Sequence, residues 1–120
     1  MPAVVIPGRP VPKGRPRVGK GGSVYTPERT REYEQAVAWA VRASRGRVDG
    51  PCEVLIDLYL RPGTRGDLDN YAKAILDGAE KGGAFGNDRD VIDLRIRLVD
   101  ATVGGERAVF MWDAALPEAA

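Results

Sequence analysis

Asp67 and Asp69 stand two residues apart in the stretch RGDLDNYAKAILDG, residues 65–78, with Asn70 and Lys73 close behind them. Carboxylates this close repel one another unless a positive charge lies between them. A second acidic segment, GNDRDVID, carries Asn87, Asp88 and Asp90 and could add a third carboxylate if the fold returns it to the first. The chain has no histidine and a single cysteine, which excludes the common zinc sites and any Ser-His or Cys-His nucleophile pair. Oxygen donors alone favour a hard cation, Mg²⁺ or Mn²⁺. Such an ion replaces histidine as the means of generating hydroxide near neutral pH, and Lys73 could stabilise charge on a phosphate or orient an attacking water.

The element that must position these residues is a helix. Leu68, Tyr71, Ala72, Ile75, Leu76 and Ala79 form an apolar stripe that Gly82 and Gly83 end. Asp69, Lys73 and Asp77 follow at intervals of four and share one edge away from that stripe. On the helix alone a second reading stays open: Asp67 as cap and Asp69 paired with Lys73, each worth about 0.3–1 kcal/mol.

Around this helix the pattern predicts a short strand over residues 3–6 stopped by Pro7, then a first helix with Thr26 as N-cap, Pro27 in its first turn and Gly46 as terminator. Tyr33, Ala36, Val37, Ala40 and Val41 are its buried face, and Trp39 widens that face into the core. CEVLIDLYL, residues 52–60, alternates as a strand with Val54, Ile56, Leu58 and Leu60 inward, and Cys52 reads as a buried inert thiol. Residues 91–99 alternate again, and Gly104 and Gly105 predict a hairpin into RAVFMW. The fold class is α+β: a mixed β-sheet with two main helices, in the order strand, helix, strand, helix, strand, strand, within one domain over 1–120.

The net charge of +1 conceals an asymmetry. Residues 1–48 carry ten Lys and Arg against three Glu, a balance of +7, and the remainder balances at −6. The segment GRPVPKGRPRVGKGG, residues 8–22, holds five basic residues, no acid, and Gly or Pro at eight of fifteen positions, which predicts a flexible basic loop suited to a polyanion. No apolar run approaches a membrane span and the amino terminus lacks the pattern of a signal peptide, so a soluble cytoplasmic protein without membrane contact is expected. PGTRGDLDN lacks the Gly-Lys-Ser/Thr ending of a phosphate-binding P-loop.

Taken together, GDLDNYAKAILDGAEKGGAFGNDRDVIDLRI resembles the RusA family of Holliday junction resolvases, through Asp67, Asp69, Asn70, Lys73, Phe85 and Asp88, with Val91 and Asp93 continuing the pattern. VPKGRPRV followed by YTPERTREYE is similar to the start of one branch of that family. The resemblance implies a homodimer that binds four-way junction DNA and makes paired, symmetric nicks with Mg²⁺ or Mn²⁺ and no organic cofactor. It implies Asp67, Asp69 and Asp88 as metal ligands, Lys73 as a catalytic lysine, Asn70 in support, and Arg9, Lys13, Arg15, Arg17 and Lys20 as DNA contacts. Asn87 departs from members that carry two adjacent acids there. The contrasting expectation is a non-catalytic junction-binding or replication-associated protein on the same scaffold, with the basic loop and no metal.

Overall fold

Alternation along residues 52–60 places Val54, Ile56, Leu58 and Leu60 on one side of a strand, and all four are buried. This strand is the axis of the fold in the computed structural model, which describes residues 1–15, 17–64, 66–101 and 104–116. The elements run β1 (Ala3–Pro7), β2 (Arg17–Val18), β3 (Val24–Tyr25), α1 (Glu28–Ser44), β4 (Cys52–Leu60), α2 (Leu68–Gly82), β5 (Val91–Asp100) and β6 (Arg107–Ala114). The α+β class and the order of main elements agree with the sequence pattern. The main sheet has the order β1-β6-β4-β5, with β4 parallel to β5 and β6 antiparallel to both its neighbours.

The expected hairpin between the last two strands does not form. β6 crosses β4 and inserts between it and β1, where Phe110 pairs with Ile56 on one side and Val4 on the other. The physical reason is burial: Ala108, Phe110 and Trp112 are each fully buried in the sheet centre, and an edge position beside β5 would leave them half exposed. Phe110 and Trp112 stack with ring centroids 4.9 Å apart. Cys52 is buried, and burial foremost, with the Asp90 charge, pushes its thiol pKa up.

Both helices contribute to the same core. From α1 come Tyr33, Val37 and Val41, and from α2 come Tyr71, Ala72, Ile75 and Ala79. Trp39 is not in that core: it is 59% exposed, because the buried arc of α1 runs through Thr30, Tyr33, Glu34, Val37, Ala38 and Val41 and leaves position 39 outside it. The Arg42 guanidinium lies 5.4 Å from its ring centroid. Ala36 is likewise exposed. Pro27 rather than Thr26 holds the N-cap position, and α1 is terminated by Arg45 in the left-handed conformation at φ 57°, one residue before Gly46. α2 ends at Gly83, also left-handed, whose N–H bonds back to the carbonyls of Ala79 and Glu80.

The helices approach closely because α2 presents Gly78 and Gly82 to α1. A Cβ on Gly78 would lie 2.7 Å from the Glu34 carbonyl oxygen, and one on Gly82 would lie 2.6 Å from that of Ala38. The basic segment is also more ordered than its composition predicts: β2 and β3 pair as a small antiparallel ribbon, with a 3₁₀ turn at Lys20–Gly22 between them. Pro16 and the Arg17 side chain lie outside the described residues. Among the described residues no helix is long and apolar enough to cross a membrane.

Alanine is the better helix former by about 1 kcal/mol, yet backbone blocks its Cβ at position 78. Gly78→Ala should therefore destabilise the protein, by about 1–3 kcal/mol, in a urea titration. A gain in stability would show that the helices do not meet this closely.

Candidate active site

Asp67 occupies the N-cap position of α2 with extended backbone, φ −74° and ψ 129°, and its carbonyl accepts from the N–H groups of Asn70 and Tyr71. Its carboxylate makes no capping bond. The capping account of this residue thus fails, and among the described residues no hydrogen bond or ion pair engages this carboxylate at the positive end of a helix. Asp69, in the first turn, accepts from the Asn70 N–H at 3.1 Å and does not pair with Lys73. Both aspartates and Asn70 are exposed.

Lys73 turns the other way. Its Nζ lies 3.1 Å from Asp77 Oδ1 and 3.3 Å from Asp88 Oδ2, so one ammonium joins the two acidic segments. The hydrogen bond it donates to Asp77 foremost, and then that to Asp88, outweigh the opposing effect of burial and raise its pKa above the ordinary lysine value. Asp88 is held by a 3₁₀ turn over Asp88–Asp90 that follows Phe85, buried under the return from α2. The Asp88 N–H donates to Glu80 Oε1 at 2.7 Å. Asn87 caps that turn by accepting from the Arg89 N–H at 2.8 Å, which gives the position a structural role as an amide.

The fold therefore returns Asp88 to α2 at the level of Lys73, about 6 Å along the axis from Asp69 at 1.5 Å per residue. Among the described residues no three acidic, histidine or cysteine side chains stand close enough together to hold a metal ion. Asp67 and Asp69 stand at the start of α2, and Asp88 meets the same helix one turn further on, through Lys73.

The basic residues divide. Arg9, Arg15 and Lys20 are exposed, with Arg9 Nε 3.9 Å from Glu106. Arg15 lines a groove of about 300 Å³ with Arg29 of α1, a basic neighbour that the one-dimensional pattern hid within the helix. Lys13 is committed elsewhere. Its N–H donates to the Asn70 carbonyl at 2.8 Å, and its Nζ reaches Glu34 Oε1 at 2.5 Å and Asp77 Oδ2 at 3.0 Å. Glu34, only 1% exposed, also receives Lys81 at 2.7 Å. Sequence reasoning passed over Glu34, although it falls between Thr30, Tyr33 and Val37 on the apolar arc of α1, where a carboxylate must find cations.

The family described as Endodeoxyribonuclease RusA matches residues 7–109 of the chain. A crossover junction endodeoxyribonuclease RusA from Aquifex aeolicus (strain VF5) is 33% identical over 88 residues, covering 71% of this chain and 70% of its own. One of the same name from Shigella sonnei (strain Ss046) is 29% identical over 93 residues, covering 78% of this chain and 72% of its own.

Burial works against the Lys13 charge, but its bonds to Glu34 and Asp77 more than offset this, so its pKa lies above the ordinary 10.5. A lysine raised on folding lends stability that is complete below its unfolded pKa and is lost as pH rises through the folded value. The stability difference between the wild type and Lys13→Met should accordingly stay level from about pH 7 to about pH 9 and shrink only in more alkaline solution. Thermal melts across that range check it, and a difference that fades before pH 9 or so would contradict the pairing.

Proposed function

The chain belongs to the RusA family of endodeoxyribonucleases, and we propose that it works as a cytoplasmic homodimer that cuts four-way DNA junctions by metal-assisted phosphodiester hydrolysis. It is an endonuclease of the Holliday junction resolving kind. The observation that carries the assignment of its site is the Lys73–Asp88 contact at 3.3 Å, which joins the two acidic segments across one helix edge.

The donor chemistry fits a hard divalent cation. Asp67 caps nothing, Asp69 has one bond to a backbone N–H, and Asp88 is fixed by Glu80 and Lys73, all of them oxygen donors. The resemblance assigns Mg²⁺ or Mn²⁺ to these three, with Asn70 beside the first two; as they stand they do not converge, so one ion would be held by all three only when Asp88 and the start of α2 draw together around it. When bound, the ion supplies neutralisation of the phosphate and access to hydroxide at neutral pH. Lys73 stays protonated there and acts as a fixed positive charge on the scissile phosphate. Arg9, Arg15 and Lys20, with Arg17, would bind the phosphates of the junction arms, independently of base sequence.

A two-fold enzyme matches a two-fold junction. β5 supports this reading: it is an edge strand of ten residues on which Ile92, Leu94 and Leu98 are exposed, and a long apolar edge calls for a cover. IDLRI, residues 92–96, has isoleucine at both ends and opposite charges either side of Leu94. In an antiparallel pairing of two copies centred there, Asp93 of each faces Arg95 of the other, and Ile92 faces Ile96.

The functional test compares four-way, Y-shaped and linear DNA with and without Mg²⁺. Cleavage should require the ion and favour the four-way substrate. Asp67→Asn, Asp69→Asn and Asp88→Asn should each lower the rate by more than the roughly 10- to 100-fold typical of changes outside the ligand shell, with junction binding kept or tightened. Wild-type rates in all three would refute the site, and binding without cleavage in the parent protein would establish the non-catalytic alternative. For the dimer, Asp93→Arg or Arg95→Asp alone should yield monomers by light scattering, and the double exchange should restore the dimer. Unchanged mass in both single variants would place the interface elsewhere.

A further inference from the structure

A row of alternating charges runs through the molecule from its interior to the candidate site. Asp88, Lys73, Asp77, Lys13 and Glu34 stand in order, each within ion-pair distance of the next, at 3.3, 3.1, 3.0 and 2.5 Å. Lys81 closes the row on Glu34 at 2.7 Å. The row draws on three separate parts of the chain: the basic segment, α1 and α2 with its return.

Exposed i,i+4 pairs such as Lys73–Asp77 are weak and leave both side chains free to move. Here the pair is not alone. The Asp77 carboxylate gives one oxygen to Lys73 and the other to Lys13, and its side chain is only 20% exposed. Lys13 in turn is fixed by the buried Glu34 and by its own N–H on the Asn70 carbonyl in the first turn of α2. The Gly14 N–H, bonded to Thr30 Oγ1 at 3.0 Å, fastens the next residue to α1. The buried end of the row is held by several bonds at once, and that constraint passes outward to a lysine that by itself would have only a weak pair. Buried ion pairs add little net stability compared with apolar packing, so a buried carboxylate holding two lysines calls for some other reason to be retained.

We propose that Asp77 and Lys13 are positioning residues, which hold the Lys73 ammonium beside Asp88 and tie its placement to the seating of the basic segment on α2. The proposal rests on the reading of Lys73 as the catalytic lysine. Lys13 then acts through Asp77 rather than on phosphate, unlike its exposed neighbours Arg9, Arg15 and Lys20. Seating the segment and orienting the lysine become one event, because both depend on the same Lys13 side chain.

The test uses full-length Lys13→Met, Asp77→Asn and the double variant, with Asp77→Glu as the conservative exchange. Three quantities are read: the cleavage rate on a four-way junction at saturating protein, junction affinity with its salt dependence, and the NMR signal of the Lys73 ammonium without DNA or metal. Each single variant should lower the saturated rate by roughly 10- to 100-fold, leave affinity and salt slope unchanged, and broaden the Lys73 signal. The double variant should be no worse than the worse single, and Asp77→Glu should recover part of the rate. A drop in affinity for Lys13→Met with a salt slope smaller by about 0.9, also in the Asp77→Asn background, would make Lys13 a phosphate contact and overturn the proposal. So would an unchanged Lys73 signal in both single variants. If the parent protein cuts no junction, the functional reading fails, and the Lys73 signal still decides the positioning.

Discussion

A carboxylate in the apolar interface between two helices has to be neutralised where it stands. Glu34 is that group, and much of the arrangement around the site follows from it. Left unpaired, such a charge would cost several kcal/mol. Lys81 approaches from the far part of α2, and Lys13 is drawn down from a segment that composition alone would leave in solvent. The close approach of the helices at Gly78 and Gly82 shapes the interface that encloses Glu34.

From that anchor the organisation of the site is electrostatic. Lys13 shares Asp77 with Lys73, and Lys73 shares its charge with Asp88, so the second acidic segment is fastened to α2 by a cation of the protein itself. The aspartates at the start of α2 stay outside this network. That division suits the proposed site, in which Asp67 and Asp69 are left to an ion, Asp77 fixes the lysine, and Asp88 faces both. Asn87 caps the 3₁₀ turn that aims Asp88, a structural part that needs only an oxygen acceptor.

The sheet gives these groups a fixed frame. β4 lies at its centre, flanked by a parallel and an antiparallel neighbour, and its buried side carries both helices. Because α2 joins β4 to the parallel strand β5, the helix must run back along the sheet. Its start then lies beyond the end of β4 and its end near the beginning of β5. Asp88 sits on the return just before β5 and meets α2 partway along, at Lys73 rather than at Asp67.

Features that depend on neighbours along the chain can be read from the residues. The apolar stripe of α2, the alternation of β4, the glycine stop at position 83, the basic segment and the two acidic segments were all legible, because period and local backbone preference are encoded within a few residues. The family resemblance was legible for the same reason, as motifs in a fixed order. Tertiary structure alone decided that β6 would enter the sheet beside β4 instead of turning back on β5, since that choice rests on burying Phe110 and Trp112 among residues distant in sequence. It decided that Trp39 faces solvent, which depends on where α2 meets α1. It also decided that Lys73 pairs with Asp77 and Asp88 rather than Asp69, and that Lys13 belongs to Glu34. Charge pairing is set by distance through space, and spacing along one helix could not reveal partners that other elements bring.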